Sequence, residues 1–232
     1  MNIEKARVVA KSFLWLDMER HPEFPFVVTH PVFESSYMMN NKKECFDAFE
    51  DEEKFREHRK NYEKQIDKVT DFSEFLSWLI RKAYILTFLK FAEDEGAITT
   101  QEACKYLIEN WCRIENIGTD VNVSKKRIRK WLLQIDREEM LEENEYKRYC
   151  YLSDEVTLYR GVGSDSKEAI YGFSWTASKS TAEFFATRWG DEGTVYEAKI
   201  KREDIFFTEY GRNEQEYIVD YRKLYDVTML EK

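Results

Sequence analysis

Three short segments in the last third of the chain decide its fold. They are LYRG at residues 158–161, GFSWT at residues 172–176 and NEQEY at residues 213–217. Each lies in a run with the alternation and the aromatic or β-branched residues that are typical of a β-strand. Three more strands are predicted at residues 194–200, 205–207 and 224–229. The last third of the chain is therefore expected to form a small β-sheet.

Polar side chains occur in pairs on two of these strands. Side chains two apart in a strand point to the same face, so the second segment presents Ser174 and Thr176 together. By the same rule the third segment presents Glu214 and Glu216 together. Buried carboxylates and hydroxyls need partners, and Arg160, which closes the first strand, offers a fork of donors that suits a phosphate. The three segments therefore predict a site for an anionic ligand that carries a ribose.

The order of these residues along the chain resembles a known family. Arg160, then a Ser-x-Thr that ends at Thr176, then a Glu-x-Glu that ends at Glu216, is similar to the arginine-serine-glutamate class of ADP-ribosyltransferases. The resemblance runs from about residue 156 to the end of the chain. It implies a mono-ADP-ribosyltransferase that binds NAD as co-substrate and breaks the bond between nicotinamide and ribose through an oxocarbenium-like transition state. ADP-ribose would then pass to a macromolecular acceptor.

The resemblance assigns roles to two carboxylates and one hydroxyl. Glu216 matches the catalytic glutamate, which accepts a hydrogen bond from the ribose 2′-hydroxyl and stabilises the developing cation. Ser174 matches the serine that orients this glutamate. Glu214 matches the acid that engages the acceptor, and a glutamate at this position favours an arginine side chain as acceptor.

The same resemblance assigns the remaining site residues. Arg160 matches the arginine that contacts an NAD phosphate or the adjoining ribose, and Gly161 is expected to leave room for close approach of the backbone. The middle position of the second motif is Trp175, which alternation predicts to pack in the core. Tyr210, just before the third segment, is the aromatic residue expected to recognise the target. The predicted cofactor-binding residues are Arg160, Gly161, Ser174 and Thr176.

Composition and charge exclude several classes of protein. A net charge of -9 over 232 residues disfavours indiscriminate binding to nucleic acid or acidic membranes, because that binding depends on Lys and Arg. Charged residues interrupt the apolar residues at the N-terminus and at residues 72–92, so neither a signal peptide nor a membrane span is predicted. Four cysteines and three histidines lack metal-ligand spacing. We expect no metal and, from reduced thiols, a cytoplasmic protein.

The rest of the chain shows helical periodicity. A central helix is predicted at residues 72–92, and a helix with a basic surface begins after Ser124. The periodicity is lost at residues 143–153 and becomes strand-like after them. The sequence therefore predicts an α+β protein with an all-helical domain at residues 1–150. A compact ADP-ribosyltransferase-like catalytic domain, with a mixed or antiparallel sheet, would follow at residues 151–232.

Three functional interpretations stay open. The first is the transferase, acting on a protein or, through the basic helix, on RNA or DNA. It would serve as a toxin, phage or anti-phage effector whose helical domain binds a regulatory or antitoxin partner. The second is an NAD glycohydrolase, with water as acceptor. The third is a catalytically silent module that binds a nucleotide or a protein.

Overall fold

The computed structural model describes residues 1–114, 117–163, 167–188, 193–210 and 215–230. The chain divides into two compact units, Met1–Val123 and Ser124–Lys232. Both units contain helices and the second contains a six-stranded antiparallel sheet, so the predicted α+β class is confirmed. Within the described ranges, no helix is both long and apolar enough to cross a bilayer.

The first unit combines helices with two short pairs of antiparallel strands. Its helices are α1 (Ile3–Leu14), α2 (Glu52–Ile66), α3 (Phe72–Glu74), α4 (Ile85–Asp94) and α5 (Thr100–Glu109). Its strands are β1 (Glu19–Arg20), β2 (Val28–Thr29), β3 (Tyr37–Met39) and β4 (Cys45–Asp47), paired β1 with β2 and β3 with β4. The prediction of an all-helical region is therefore wrong in this part. Strands of two or three residues are too short to give an alternation signal.

Aromatic rings fill the core of the first unit. The rings of Phe72 and Phe88 stack with centroids 5.4 Å apart, and Phe13 meets Phe88 edge-on at 5.2 Å. All three side chains are buried. The apolar faces of α1 and α4 thus pack on each other as their periodicity predicts.

The single helix predicted for residues 72–92 is interrupted between α3 and α4. A π-helical turn follows α3, and Arg81 then takes an extended backbone conformation with φ -64° and ψ 145°. The Arg81 guanidinium Nη1 donates to the main-chain carbonyls of Val28, His30 and Phe33, at 3.2, 3.0 and 3.0 Å. These contacts with a distant segment hold the interruption in place.

The second unit is a sheet with helices around it. Its helices are α6 (Lys125–Leu132), α7 (Arg137–Met140), α8 (Glu143–Cys150) and α9 (Lys179–Thr187). Its strands are β5 (Glu155–Val162), β6 (Ser174–Thr176), β7 (Thr194–Lys201), β8 (Ile205–Glu209), β9 (Glu216–Val219) and β10 (Tyr225–Leu230). Neighbouring strands lie in the order β10–β7–β5–β6–β9–β8. Each of the six lies in a run that the sequence predicts as a strand.

Three helices that the sequence assigns to the first domain lie in the second unit. Arg129 of α6 donates from Nε and Nη2 to the carboxylate of Asp220, at 2.8 and 2.6 Å. Arg137 of α7 donates to main-chain carbonyls of β8. The units therefore divide after Val123, whereas the predicted boundary follows residue 150. The change of periodicity at residue 150 marks a change of secondary structure and not a change of packing.

One face of the sheet carries the core of the second unit. Its buried side chains include Leu158, Trp175, Ala198, Ile200, Ile205, Tyr217 and Val219. Trp175 is 2% exposed and its indole N–H donates to the carbonyl of Gly172 at 3.2 Å. The prediction that Trp175 packs in the core is confirmed.

Candidate functional site

The three sequence motifs lie on neighbouring strands. Arg160 is on β5, Ser174 and Thr176 are on β6, and Glu216 opens β9. In the sheet, β6 lies between β5 and β9. Segments that are far apart in the sequence therefore converge on one part of the sheet.

The strand register places six polar side chains in one line across the sheet. Residues directly opposite each other in an antiparallel pair share a face, with Cβ atoms about 4.5–5.5 Å apart. Thr176 is opposite Glu216 on one side and opposite Tyr159 on the other. The line continues to both edges of the sheet. This polar row consists of Thr228, Glu197, Tyr159, Thr176, Glu216 and Glu209, in spatial order.

The polar row and the core lie on opposite faces of the sheet. Tyr159 and Leu158 are consecutive in β5, as Thr176 and Trp175 are in β6, so the members of each pair point in opposite directions. Leu158 and Trp175 are buried in the core. Hence the polar row lies on the face away from this core, a face that also carries the buried apolar side chains of Ile218 and Phe207.

The hydroxyl directly opposite Glu216 belongs to Thr176. Ser174, which the resemblance assigns to orienting Glu216, is opposite Ile218, one pair further along the same face. Thr176 is 6% exposed, and its Oγ1 accepts a hydrogen bond from the Ser178 amide at 3.1 Å. Thr176 thus joins Glu216 to the start of α9.

Arg160 lies one residue along β5 from the polar row, so by alternation its side chain starts on the opposite face of the sheet, the face that carries Leu158. Its guanidinium binds main chain. Its Nε donates to the carbonyl of Ala169 at 2.7 Å, and its Nη1 donates to the carbonyl of Ser174. A Cβ added to Gly172 would overlap the guanidinium. The residue keeps some exposed surface, but enclosure of the guanidinium lowers the pKa of Arg160 to about 10, and the carboxylate of Glu216 partly offsets this. Arg160 is therefore a cation enclosed between β5 and β6, in the field of Glu216.

The space beside Gly161 is taken by α9. A Cβ at this position would overlap the carbonyl of Ala182 and lie 2.5 Å from the amide nitrogen of Ala186. The resemblance implies that this glycine leaves room for the cofactor. In the structure its missing side chain lets α9 pack directly on β5, on the face of the polar row.

Tyr210 is half-buried and held on both sides. The guanidinium of Arg148 lies 4.6 Å from the centre of its ring, and its hydroxyl lies 3.4 Å from that of Tyr217. Burial and this contact raise the pKa of Tyr217. Glu214 and residues 211–213 of the predicted recognition loop lie outside the described residues.

Sequence reasoning missed two members of the polar row beside the motifs. Tyr159 is half-buried and stands directly opposite Glu197, and burial, followed by the effect of the Glu197 carboxylate, raises the pKa of Tyr159. Glu209 is directly opposite Glu216 on the edge strand β8. The sequence could suggest that Tyr159 faces away from Arg160, but only the strand order shows which residues stand opposite it.

A cavity lies at the other end of the polar face. Its volume is about 650 Å³, within the range of small-molecule sites. One wall is α9, with Lys179, Glu183 and Ala186, and another is formed by Val195 of β7 and Leu230 of β10. Val195 and Leu230 are directly opposite each other, one pair along from Glu197 and Thr228 on the same face. The polar row therefore ends beside a mainly aliphatic cavity.

Among the described residues, the donor side chains form no metal site. In the part of the chain that the structure describes, no group of three His, Cys, Asp or Glu residues is arranged to hold a metal ion.

A scan of the chain against protein-family models gives no match, and neither do searches of curated proteins and of solved structures.

Proposed function

We propose that the second unit is an ADP-ribosyltransferase-like catalytic core that cleaves NAD at the nicotinamide–ribose bond and transfers ADP-ribose to a macromolecule. The observation that carries this proposal is the convergence of the three motifs on the adjacent strands β5, β6 and β9. Within it, the Thr176 hydroxyl and the Glu216 carboxylate stand directly opposite each other on the face away from the core. A carboxylate and a hydroxyl so placed suit a ribose, which presents hydroxyl donors and acceptors.

The chemistry requires stabilisation of positive charge on the ribose. The C1′–N bond breaks, its electron pair leaves with nicotinamide, and the ribose passes through an oxocarbenium-like state. Glu216 would accept the 2′-hydroxyl and lower the energy of that cation. An acceptor nitrogen or oxygen then bonds to C1′ and releases its proton to a carboxylate or to water.

The acceptor is proposed to be cationic. Glu209 stands opposite Glu216 at the edge strand, and Glu209 also raises the pKa of Glu145, after the larger effect of burial. Acidic groups at this end of the polar row would attract an arginine side chain, the acceptor that Glu214 also favours. Transfer to RNA or DNA is less favoured, because two cations of the basic helix α6 have contacts within the unit: Arg129 binds Asp220 and Lys125 donates to the carbonyl of Tyr171.

The test is label transfer from NAD. Wild-type protein is incubated with adenine-labelled NAD and cell lysate, and label is counted in protein, in nucleic acid and as free ADP-ribose. Glu216→Gln should lower nicotinamide release by about a thousandfold, the size expected for a group that stabilises charge in the transition state. Glu203→Gln, an exposed carboxylate of the same unit outside the polar row, is the matched control and should behave like wild type. Equal activity in the two variants contradicts the proposal.

One observation favours the silent binding module as a second candidate. The Arg160 guanidinium donates to two main-chain carbonyls, so part of its fork is already in use. A module of this kind would bind NAD or another nucleotide without releasing nicotinamide. Free ADP-ribose without labelled macromolecule would instead indicate the glycohydrolase. The biological setting as a toxin, phage or anti-phage effector, and a partner for the first unit, rest on the resemblance alone.

A further inference from the structure

The polar row has a carboxylate on each side of its two hydroxyls. Glu216 flanks Thr176 on β9, and Glu197 flanks Tyr159 on β7, all on one face. Three strand spacings separate Glu197 from Glu216, which is about 14 Å between their Cα atoms. That distance leaves room for a pyrophosphate between two ribose rings.

Glu197 can accept hydrogen bonds from a ligand as well as from its neighbour Tyr159. It is half-buried and directly opposite Tyr159, and a carboxylate has several acceptor positions for hydroxyl donors. A vicinal diol supplies two hydroxyl donors that fit a carboxylate, as in other ribose sites. The opposite residue on β10 is Thr228, whose side chain is exposed and uncharged.

The cavity beside Glu197 suits the purine base that such a ribose carries. Its walls include Val195 and Leu230, the next pair along the same face, and the aliphatic part of α9. Its volume of about 650 Å³ is ample for a purine base. Lys179, at the first turn of α9, lines the cavity with its Nζ 3.9 Å from the Glu183 carboxylate, and it supplies a positive charge there for a phosphate.

We infer that Glu197, directly opposite Tyr159, binds the hydroxyls of the ribose that carries the adenine of NAD, while the cavity takes the adenine. This inference rests on the proposed function for the identity of the dinucleotide. It makes Glu197 a specificity residue for the half of NAD that does not react. Glu216 and Glu197 then bind the two riboses of one ligand.

The test compares NAD with nicotinamide mononucleotide, which lacks the adenosine half. For Glu197→Gln we expect the KM for NAD to rise at least tenfold, because a charge-assisted hydrogen-bond acceptor is lost, with kcat little changed. The kcat/KM for the mononucleotide should stay within twofold of wild type. Tyr159→Phe, which removes only the hydroxyl, should show the same selectivity with a smaller rise. Glu203→Gln is the control for both substrates.

The outcomes separate this inference from the proposed function. If Glu197→Gln lowers activity towards both substrates equally, or towards neither, Glu197 does not bind the adenosine ribose and the inference fails while the activity stands. If wild type releases no nicotinamide but binds NAD more tightly than the mononucleotide, and Glu197→Gln removes that preference, the inference holds and the transferase fails. Wild type that neither binds nor cleaves NAD overturns both.

Discussion

Two arginines, one in each unit, bind main-chain carbonyls in different electrostatic surroundings. Arg81 in the first unit and Arg160 in the second both donate to main-chain carbonyls. Around Arg81 the neighbouring titratable group, His30, is kept neutral. Around Arg160 the neighbouring group is the carboxylate of Glu216. The first contact serves stability alone, whereas the second also sets the electrostatic environment of a proposed catalytic group.

The largest expected effect is that of Arg160→Met. The change removes one hydrogen-bond donor from each of the carbonyls of Ala169 and Ser174 and removes the cation near Glu216. We expect a loss of about 3 kcal/mol from the free energy of unfolding of the second unit, and NAD binding should weaken as well. Arg81→Met should cost about 2 kcal/mol in the first unit, because that guanidinium is partly exposed and water can replace it.

Hydrogen exchange resolved by peptide measures the two effects separately, which matters because a protein with two units need not unfold in one step. Only the Arg160 variant should change NAD binding. If both variants weaken NAD binding equally, the distinction between the two arginines fails. The same result would follow if Arg160→Met destabilised no more than Arg81→Met.

The comparison also shows what the sequence could predict. The six strands of the second unit were identified because alternation is local, as in Thr194–Lys201. The order of these strands in the sheet could not be predicted, because the pairing of Thr176 with Glu216 joins residues that are distant along the chain. Consequently Ser174 was assigned the position beside Glu216 that Thr176 holds. The order of strands is a property of packing, and no local pattern encodes it.

The roles of the two arginines were beyond sequence reasoning for the same reason. A phosphate contact for Arg160 follows from its fork of donors, but the carbonyls of Ala169 and Ser174 become acceptors only where β5 and β6 are next to each other. Likewise the long helix over residues 72–92 was predicted from periodicity, and Arg81 interrupts it through contacts with a distant segment. In both places the partners are main-chain acceptors, which composition does not reveal.

A second, smaller effect is a loss of stability of the first unit at acidic pH. His30 is 1% exposed, its Nδ1 accepts the amides of Val32 and Phe33, and its Nε2 faces the carbonyl of Leu16. Burial, and then the charge of Arg59, lower the pKa of His30 to about 4 from 6.5. Protonation at Nδ1 would remove an acceptor that two amides share.

The sign of the pH effect follows from these values. Between pH 6.5 and 4 the unfolded chain binds a proton at this position and the folded unit does not, so stability is full above pH 6.5 and falls as the pH drops. From pH 6.5 to 5 we expect the first unit to lose about 2 kcal/mol. Hydrogen-exchange rates of the first unit at the two pH values, corrected for intrinsic exchange, measure this loss of stability. His30→Asn should flatten the dependence, and an unchanged slope would exclude His30 as its cause.

The smallest expected effect concerns Tyr210 at the edge of the second unit. Its hydroxyl is 3.4 Å from that of Tyr217, which makes a weak bond, and its ring packs under Arg148. Tyr210→Phe keeps the ring, so stability should change by less than about 0.5 kcal/mol and transfer should persist. Tyr210→Ala removes the ring. We expect labelling of protein to fall about fivefold while nicotinamide release stays within twofold, since a cation–π contact of about 1 kcal/mol between the ring and the cationic acceptor is lost. Should nicotinamide release fall in step with labelling, the ring supports the fold of β8 and β9, and recognition of the target lies elsewhere.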